Sequence, residues 1–361
     1  MDREDFMVEA VERLFMGNNV MVAGPRRIGK SSVAGEVRRR LQSRGAYTAY
    51  VDLFRTSSLE ELATRLLESV LANRTGPLAA VARGVQDLRR MLAQARVSAT
   101  IHDLDLAVAL LERPHGFPAD TFELALSTAD RLAKHDQRRV VLVFDEFQDI
   151  DQLGGVSLQK RMRSVLQQQS HTACLFLGSQ ADLMEKLFGS PRAVFFRFAL
   201  PMHLPPTPWA AWAAYLVDRL AAQHVTIDEP ALALLAEKTG GHPHGVMVVM
   251  DAALMRTRLA GTAAITADDV LYGYASALDT LGGLYAQQWI AVRARRNAPR
   301  VLMAVAEGRP PYANRETSAG SVAKAITWLT TEGLIASSAR GEHHVVEPMF
   351  AAWLKTLHGA P

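Results

Sequence analysis

The sequence contains a single cysteine, Cys174, so no disulfide can form within the chain, and its apolar neighbours are typical of a protein core. No apolar stretch approaches the roughly 20 residues that a membrane-spanning helix needs, so we expect no membrane partner. Residues 1–5 are mostly charged rather than apolar, and we therefore expect no secretory leader and a cytoplasmic protein. The net charge is only +3, which permits a nucleic-acid partner without indicating one.

The most informative stretch is GPRRIGKSS at residues 24–32, which fits the phosphate-binding P-loop pattern G-x-x-x-x-G-K-[ST]. An apolar strand is predicted before it and a helix after it, which argues against a chance match in a glycine-containing turn. Backbone N–H groups and the helix dipole would favour an anion there. We expect Lys30 to reach the β- and γ-phosphates and Ser31 to ligate Mg²⁺. The predicted nucleotide contacts are Gly24, Pro25, Arg26, Arg27, Ile28, Gly29, Lys30, Ser31 and Ser32.

A second motif places two carboxylates at the end of an apolar strand, in VVLVFDE at residues 140–146. This Walker B pattern predicts that Asp145 holds the Mg²⁺ through water and that Glu146 orients and polarises the attacking water. The next strand ends in Gly178, Ser179 and Gln180. Ser179 or Gln180 would sense the γ-phosphate or the attacking water, unless the serine merely forms a turn.

Strands alternate with helices in the first part of the chain, which predicts an α/β fold with a parallel sheet covered on both faces. Prolines cluster at residues 201–208 and mark a boundary, after which every segment to about 284 is predicted helical. Helix, helix and a two-stranded wing then predict a winged helix-turn-helix. The predicted domains are 1–200 for the core with a helical insertion at about 72–117, 201–290 for a helical lid, and 291–361 for a basic linker and winged helix. The predicted strands lie at residues 20–23, 47–53, 140–146, 172–177 and 193–200.

The P-loop, the VFDEFQ box, the segment FLGSQADLMEKLFGSPRAVFFR, the GGHPH corner and the winged helix together resemble the archaeal-type ATPase family. This family is a STAND-related branch of the AAA+-like P-loop ATPases. The resemblance implies ATP rather than GTP, in agreement with the lack of an N-K-x-D motif. It also implies a lid whose corner, with His242, Pro243 and His244, approaches the nucleotide, and a phosphate-sensing arginine at Arg192 or Arg197. Zinc at the two histidines is disfavoured because no cysteine or carboxylate lies nearby in the sequence.

Three functions remain open for such an ATPase core. The first is a nucleotide-dependent switch that controls DNA or partner-protein binding through the winged helix. The second is an oligomeric motor or loader acting on DNA, and the third is an interaction module in which ATP or ADP is structural. Basic residues Arg293, Arg295, Arg296 and Arg300 would contact double-stranded DNA, while Lys324 and Thr327 approach bases. Acidic and basic side chains are nearly equal in number over residues 300–361, so a winged helix that faces a protein partner or docks on its own chain remains an equal alternative.

Overall fold

The computed structural model describes residues 3–72, 118–312, 318–337 and 342–358. Apart from Ala72, the predicted helical insertion at 72–117 lies outside the described residues. The chain divides into two compact units. The α/β unit comprises Asp5–Ala23 and Lys30–Leu204, and the helical unit comprises Met1–Glu4, Gly24–Gly29 and Pro205–Pro361. The predicted domain boundaries at 200 and 290 stay predictions, and the second falls within the helical unit.

The α/β unit contains a five-stranded sheet in the order β2-β3-β4-β1-β5, and every pair of neighbouring strands is parallel. This confirms the predicted α/β class. Parallel strands end at the same edge of a sheet, and the register pairs Ala23 with Gly178 and Asp52 with Asp145. The strands are β1 Val20–Ala23, β2 Tyr47–Asp52, β3 Val140–Asp145, β4 Thr172–Gly178 and β5 Leu200–Pro201.

Two hydrophobic clusters cover the two faces of this sheet, because alternate residues of each strand point to opposite sides. On β3, Val141 and Val143 join one cluster, and Leu142 and Phe144 join the other. The first cluster is covered by α1 and α2, and the second by the remaining helices of this unit. The helices are α1 Glu4–Phe15, α2 Lys30–Ser43, α3 Leu59–Leu71, α4 Pro118–His135, α5 Ile150–Leu166 and α6 Ala181–Phe188.

The predicted last strand at residues 193–200 is wrong, because only Leu200–Pro201 pairs with β1. Residues 193–199 form turns, in which Arg197 takes a left-handed backbone with φ 55°. Phe195 is fully buried and packs against the rings of Phe147 and Phe176. The apolar residues of this stretch therefore fill an aromatic cluster instead of alternating across a strand.

The helical unit is built around one hydrophobic cluster that extends from Trp212 to Leu354. After α10, the predicted order of helix, helix and antiparallel strand pair is present, followed by a last helix. We call residues 298–358 the C-terminal segment. None of the described helices is long and apolar enough to span a membrane. The elements are α7 Trp209–Ala221, β6 Thr226–Ile227, α8 Glu229–Thr239, α9 Pro243–Leu259, β7 Ala264–Ile265, α10 Ala267–Arg293, α11 Ala298–Ala306, α12 Ala319–Thr331, β8 Ile335–Ser337, β9 His343–Val345 and α13 Pro348–His358.

Candidate nucleotide site

The glycine loop runs from the end of β1 to the first residue of α2, and its backbone explains the glycine positions. A Cβ on Gly24 would come within 2.9 Å of Ile28 Cδ1, and Gly29 has a φ of 94° that other residues rarely adopt. Lys30, the first residue of α2, is only 6% exposed. The first turn of α2 has no acidic residue, so the positive end of the helix dipole is not neutralised there. This local structure is suited to binding an anion.

The predicted metal ligands Ser31 and Asp145 lie in contact. Ser31 Oγ donates a hydrogen bond of 2.6 Å to Asp145 Oδ2. Tyr50 on β2 donates a second bond of 2.6 Å to the same oxygen, and the Glu146 backbone N–H donates to Asp145 Oδ1 at 3.0 Å. Asp145 is 3% exposed, so its carboxylate is held by three donors in a buried setting. Burial and, next, this hydrogen bond raise the pKa of Tyr50, so its hydroxyl remains a donor.

Magnesium fits this pair of oxygen donors. The ion prefers oxygen ligands and is usually bound by one or two carboxylates together with substrate phosphates and waters. In the part of the chain that the structure describes, no group of three or more acidic, histidine or cysteine side chains could hold a metal ion. Ser31 would therefore supply a direct ligand to an ion that arrives with the nucleotide, and Asp145 would hold that ion through water. Asp52 adds negative charge nearby, and its pKa is raised by burial and then by Asp145.

Glu146, the second carboxylate of the motif, is oriented by two neighbouring side chains. Ser179 Oγ donates to Glu146 Oε2 at 2.6 Å, and Gln148 Nε2 donates to the same oxygen at 2.6 Å. Ser179 and Gln148 are 4% and 2% exposed, and 3.5 Å separates Gln148 Nε2 from Ser179 Oγ. Of the two predicted sensors, Ser179 thus reaches Glu146, whereas Gln180 precedes α6. Glu146 itself has a left-handed backbone, with φ 50°, which turns the chain sharply after β3.

A separate polar cluster forms in the helical unit around Glu347, which lies between β9 and α13. Tyr285 OH donates to Glu347 Oε1 at 2.6 Å, and His244 Nδ1 lies 3.6 Å from that oxygen. Arg27 of the glycine loop forms an ion pair with Glu347, with 3.5 Å between Nη1 and Oε2. Burial acts to raise the pKa of Glu347, but the nearby His244 ring, the Tyr285 hydrogen bond and the charges of His242 and Arg27 together leave it below its ordinary value.

The predicted glycine–proline corner joins α8 to α9. Gly240 and Gly241 have φ values of 58° and 69°, and Pro243 is the first residue of α9, where its fixed φ suits a helix start. Trp212 Nε1 donates to the Gly241 carbonyl at 2.9 Å, which fixes the corner to α7. Burial lowers the pKa of His242, and neither ring nitrogen has a hydrogen-bond partner within the described ranges.

The predicted arginine sensors lie in the turn region that follows α6. Arg192 is exposed, and its backbone N–H donates to Ser190 Oγ at 3.3 Å. The guanidinium of Arg197 lies 5.2 Å from the ring centroid of Phe196. A phosphate-sensing role for either arginine stays a prediction, as does the contact of residues 24–32, Pro243 and His244 with a nucleotide.

Sequence reasoning gave no role to Tyr50 or Glu347, and it included Gln148 only as the last residue of the VFDEFQ box. Gln148 could have been found from its place two residues after Glu146, in a tight turn. Tyr50 reaches Asp145 only because β2 lies beside β3, and the sequence does not state that order. Glu347 carries no motif, and its partners are 62 or more residues away in the sequence.

A family model matches the part of the chain that carries the glycine loop and the two carboxylates after β3. Residues 3–176 match the model of the AAA ATPase domain. Lys30, Ser31, Asp145 and Glu146 all lie within this range, and Ser179 follows just beyond the matched residues. The narrower resemblance to the archaeal-type, STAND-related branch stays a prediction.

Solved structures share the fold of this chain over nearly its full length. The Aeropyrum pernix ORC2 protein, in ADPNP–ADP complexes, is 12% identical with a TM-score of 0.61, covering 100% of this chain and 96% of that one. The Aeropyrum pernix ORC1 protein in complex with DNA is 16% identical with a TM-score of 0.51, covering 98% and 92%. Cdc6p from Pyrobaculum aerophilum is 13% identical with a TM-score of 0.50, covering 99% and 93%. No curated protein matches the chain.

Proposed function

We propose that this protein binds ATP with Mg²⁺ at the 24–32 loop, hydrolyses it slowly, and acts as a nucleotide-dependent switch for DNA or partner-protein binding. The observation that carries the proposal is the adjacency of Ser31 and Asp145, 2.6 Å apart, with Glu146 directly following. This adjacency supports a magnesium-ligand pair next to a carboxylate that can polarise water.

Each side chain has a distinct role in this proposal. Lys30 would neutralise the β- and γ-phosphates, and Mg²⁺ held by Ser31 and Asp145 would supply further positive charge on the phosphates. Glu146 would accept a proton from the attacking water. Gln148 Oε1 is buried and accepts no hydrogen bond from the described residues, so it would help to orient that water.

Slow turnover follows from the way Glu146 is held. One of its carboxylate oxygens already accepts bonds from Ser179 and Gln148, each at 2.6 Å. Charge-assisted hydrogen bonds of this kind are strong and withdraw electron density from the acceptor. Glu146 must weaken one of them before it can act as an effective base. A slow ATPase suits a switch better than a motor, although an oligomeric motor acting on DNA remains the alternative.

The output of the switch would lie in the C-terminal segment and the residues before it. Arg293, Arg295 and Arg296 are exposed, and the α12 face with Lys324 and Thr327 is exposed as well. A structure of similar fold, the ORC1 protein, was solved with DNA, which supports double-stranded DNA as the first partner to test. A partner protein is the alternative for the same surface.

The first prediction tests nucleotide binding. Lys30→Ala removes a buried cation from the start of α2, so ATP·Mg²⁺ affinity should fall at least about tenfold, or about 1.4 kcal/mol. Isothermal titration calorimetry on wild type and variant measures this change. Lys134→Ala is the control, because Lys134 is exposed in the last turn of α4, before the start of β3 rather than at its end. Equal affinity in wild type and Lys30→Ala would refute the assignment.

A companion measurement separates the three functions. Tightly co-purified ADP with slow turnover that DNA does not change supports the switch. Strong stimulation of ATP turnover by duplex DNA supports the motor. Bound nucleotide without any turnover supports the structural role.

A further inference from the structure

Glu347 connects three separate elements through one carboxylate. Its partners are Tyr285 on α10, His244 on α9 and Arg27 on the glycine loop. The Glu347 side chain is 14% exposed, and its own carbonyl accepts the Ala351 N–H at 3.1 Å in the first turn of α13. A largely buried carboxylate with these three partners is held within the helical unit and is not a free surface charge.

The contact with Arg27 is not the only one between the glycine loop and the C-terminal segment. A Cβ on Gly333, just before β8, would lie 3.9 Å from Pro25 Cα. The corner after α8 packs against the same region, since a Cβ on Gly240 would lie 3.1 Å from Pro348 Cγ. The loop and the corner therefore both contact the chain near Glu347.

Arg27 lies where its guanidinium could bind either the Glu347 carboxylate or a phosphate at the glycine loop. Its left-handed backbone, with φ 64°, lies in the loop that the proposed function assigns to phosphate binding, and its side chain is 33% exposed. A guanidinium binds carboxylates and phosphates by the same fork geometry. A phosphate bound at the loop would compete with the Glu347 carboxylate for this cation.

We propose that Glu347 is a positioning residue for the glycine loop. Its carboxylate holds Arg27 away from an incoming nucleotide and thereby couples nucleotide binding to the C-terminal segment. This inference rests on the proposed binding of ATP or ADP at residues 24–32. Thermodynamic linkage makes this coupling reciprocal. Any change that weakens the Arg27–Glu347 ion pair strengthens nucleotide binding, and nucleotide binding weakens the ion pair by the same free energy. Tyr285 and His244 stay with Glu347 when Arg27 leaves, so the carboxylate keeps partners in either state.

Substitution on both sides of the pair tests the competition. Glu347→Gln keeps the shape and an acceptor for Tyr285 but removes the charge, so ADP and ATP should bind about three- to tenfold more tightly by calorimetry. Arg27→Gln should bind more weakly than wild type, and the double variant should match Arg27→Gln alone because the competition is gone. Glu332→Gln, an exposed charge at the end of α12, should leave affinity unchanged. Unchanged or weaker binding by Glu347→Gln, or additive effects, would overturn the inference.

Hydrogen–deuterium exchange supplies a readout that does not depend on Glu347→Gln folding well. In wild type, saturating ADP should change exchange in peptides covering residues 343–358, and this response should be absent in Arg27→Gln at saturation. If wild type binds ADP but these peptides do not respond, the coupling is refuted and ATP binding stands. If wild type binds no nucleotide, both the proposed function and the coupling fall.

Discussion

At the scale of single residues, the charge of the Glu146 carboxylate is expected to govern ATP hydrolysis more than ATP binding. Glu146→Gln keeps the shape and the acceptor for Ser179 but loses the charge that polarises water. ATP turnover should fall by about 10²- to 10⁴-fold, while ATP affinity stays within about twofold of wild type. Phosphate release under saturating ATP and calorimetric titration measure the two quantities. Glu185→Gln, on an exposed position of α6, is the control and should leave both unchanged.

Unchanged turnover in Glu146→Gln would move the base to another residue, and Asp149 is the next carboxylate along this turn. Reduced affinity together with reduced turnover would instead place Glu146 in binding.

Tyr50 makes a contribution to stability that can be measured separately from catalysis. Tyr50→Phe removes the hydroxyl that donates to Asp145, a residue that is only 3% exposed. Hydrogen bonds to buried charged groups contribute about 1.5–3 kcal/mol, so the free energy of unfolding should fall by that amount. Urea unfolding followed by circular dichroism measures it.

Tyr47→Phe provides the matched control for Tyr50→Phe. It removes a similar bond of 2.8 Å to Asp136, whose side chain is 16% exposed and better solvated. The loss in Tyr47→Phe should be smaller, about 0.5–1.5 kcal/mol. An equal loss in both variants would mean that burial of the carboxylate does not strengthen the Tyr50 bond.

The sequence predicted the site residues that belong to a motif. It did not predict those that contact the motif only because the chain folds them next to it. Lys30, Ser31, Asp145 and Glu146 were identified because strand, loop and helix follow each other in the chain. Tyr50 depends on strand order instead, because β2 lies beside β3 although α3 and α4 separate them in the chain. Such neighbours follow from the topology of the sheet, which local patterns do not encode.

At the scale of elements, helix caps give a direct test of local structure. Asp228 precedes α8, and its Oδ1 accepts the Ala231 N–H at 2.7 Å. Asp228→Ala leaves that N–H without its partner and weakens the favourable charge at the helix start, so unfolding free energy should fall by about 1 kcal/mol. Thermal or urea unfolding measures the change. Asp218→Ala, at an exposed position within α7, should change stability by less than about 0.5 kcal/mol.

Helices and strands were predicted well where the apolar residues form a regular pattern. They were predicted poorly where packing among aromatic side chains determines the backbone path. The predicted strands at 140–146 and 172–177 correspond to β3 and β4, whose residues are all buried. The stretch at 193–200 has the composition of a strand, yet Phe195 points into an aromatic cluster with Phe176 and Phe188. An apolar run shows that residues are buried, but not by which backbone path.

At the scale of the whole molecule, residues 3–176, which match the AAA ATPase domain model, are followed in the chain by a helical unit with exposed basic residues. The guanidinium of Arg295 lies 5.5 Å from the ring centroid of Trp328, and Asn297 Nδ2 donates to Ser321 Oγ at 2.5 Å. Both interactions join the residues after α10 to α12. The segment with the exposed arginines 293, 295 and 296 therefore contacts α12, on which Lys324 and Thr327 are exposed.

If DNA is the partner, the surface with these residues should bind duplex mainly through phosphates, because the side chains that α12 exposes include few cations. Affinity should then fall with salt, and replacing Arg293, Arg295 and Arg296 by alanine should lower the slope of log K against log salt by about 0.9 for each phosphate that the protein no longer neutralises. Fluorescence anisotropy with labelled duplex, in the presence of ADP and of ATP, measures the slope. A triple variant at Arg39, Arg65 and Arg131 changes net charge equally from exposed positions of the α/β unit and should keep the wild-type slope. Failure of the wild type to bind duplex at low salt in every nucleotide state would exclude DNA and assign this surface to a protein partner.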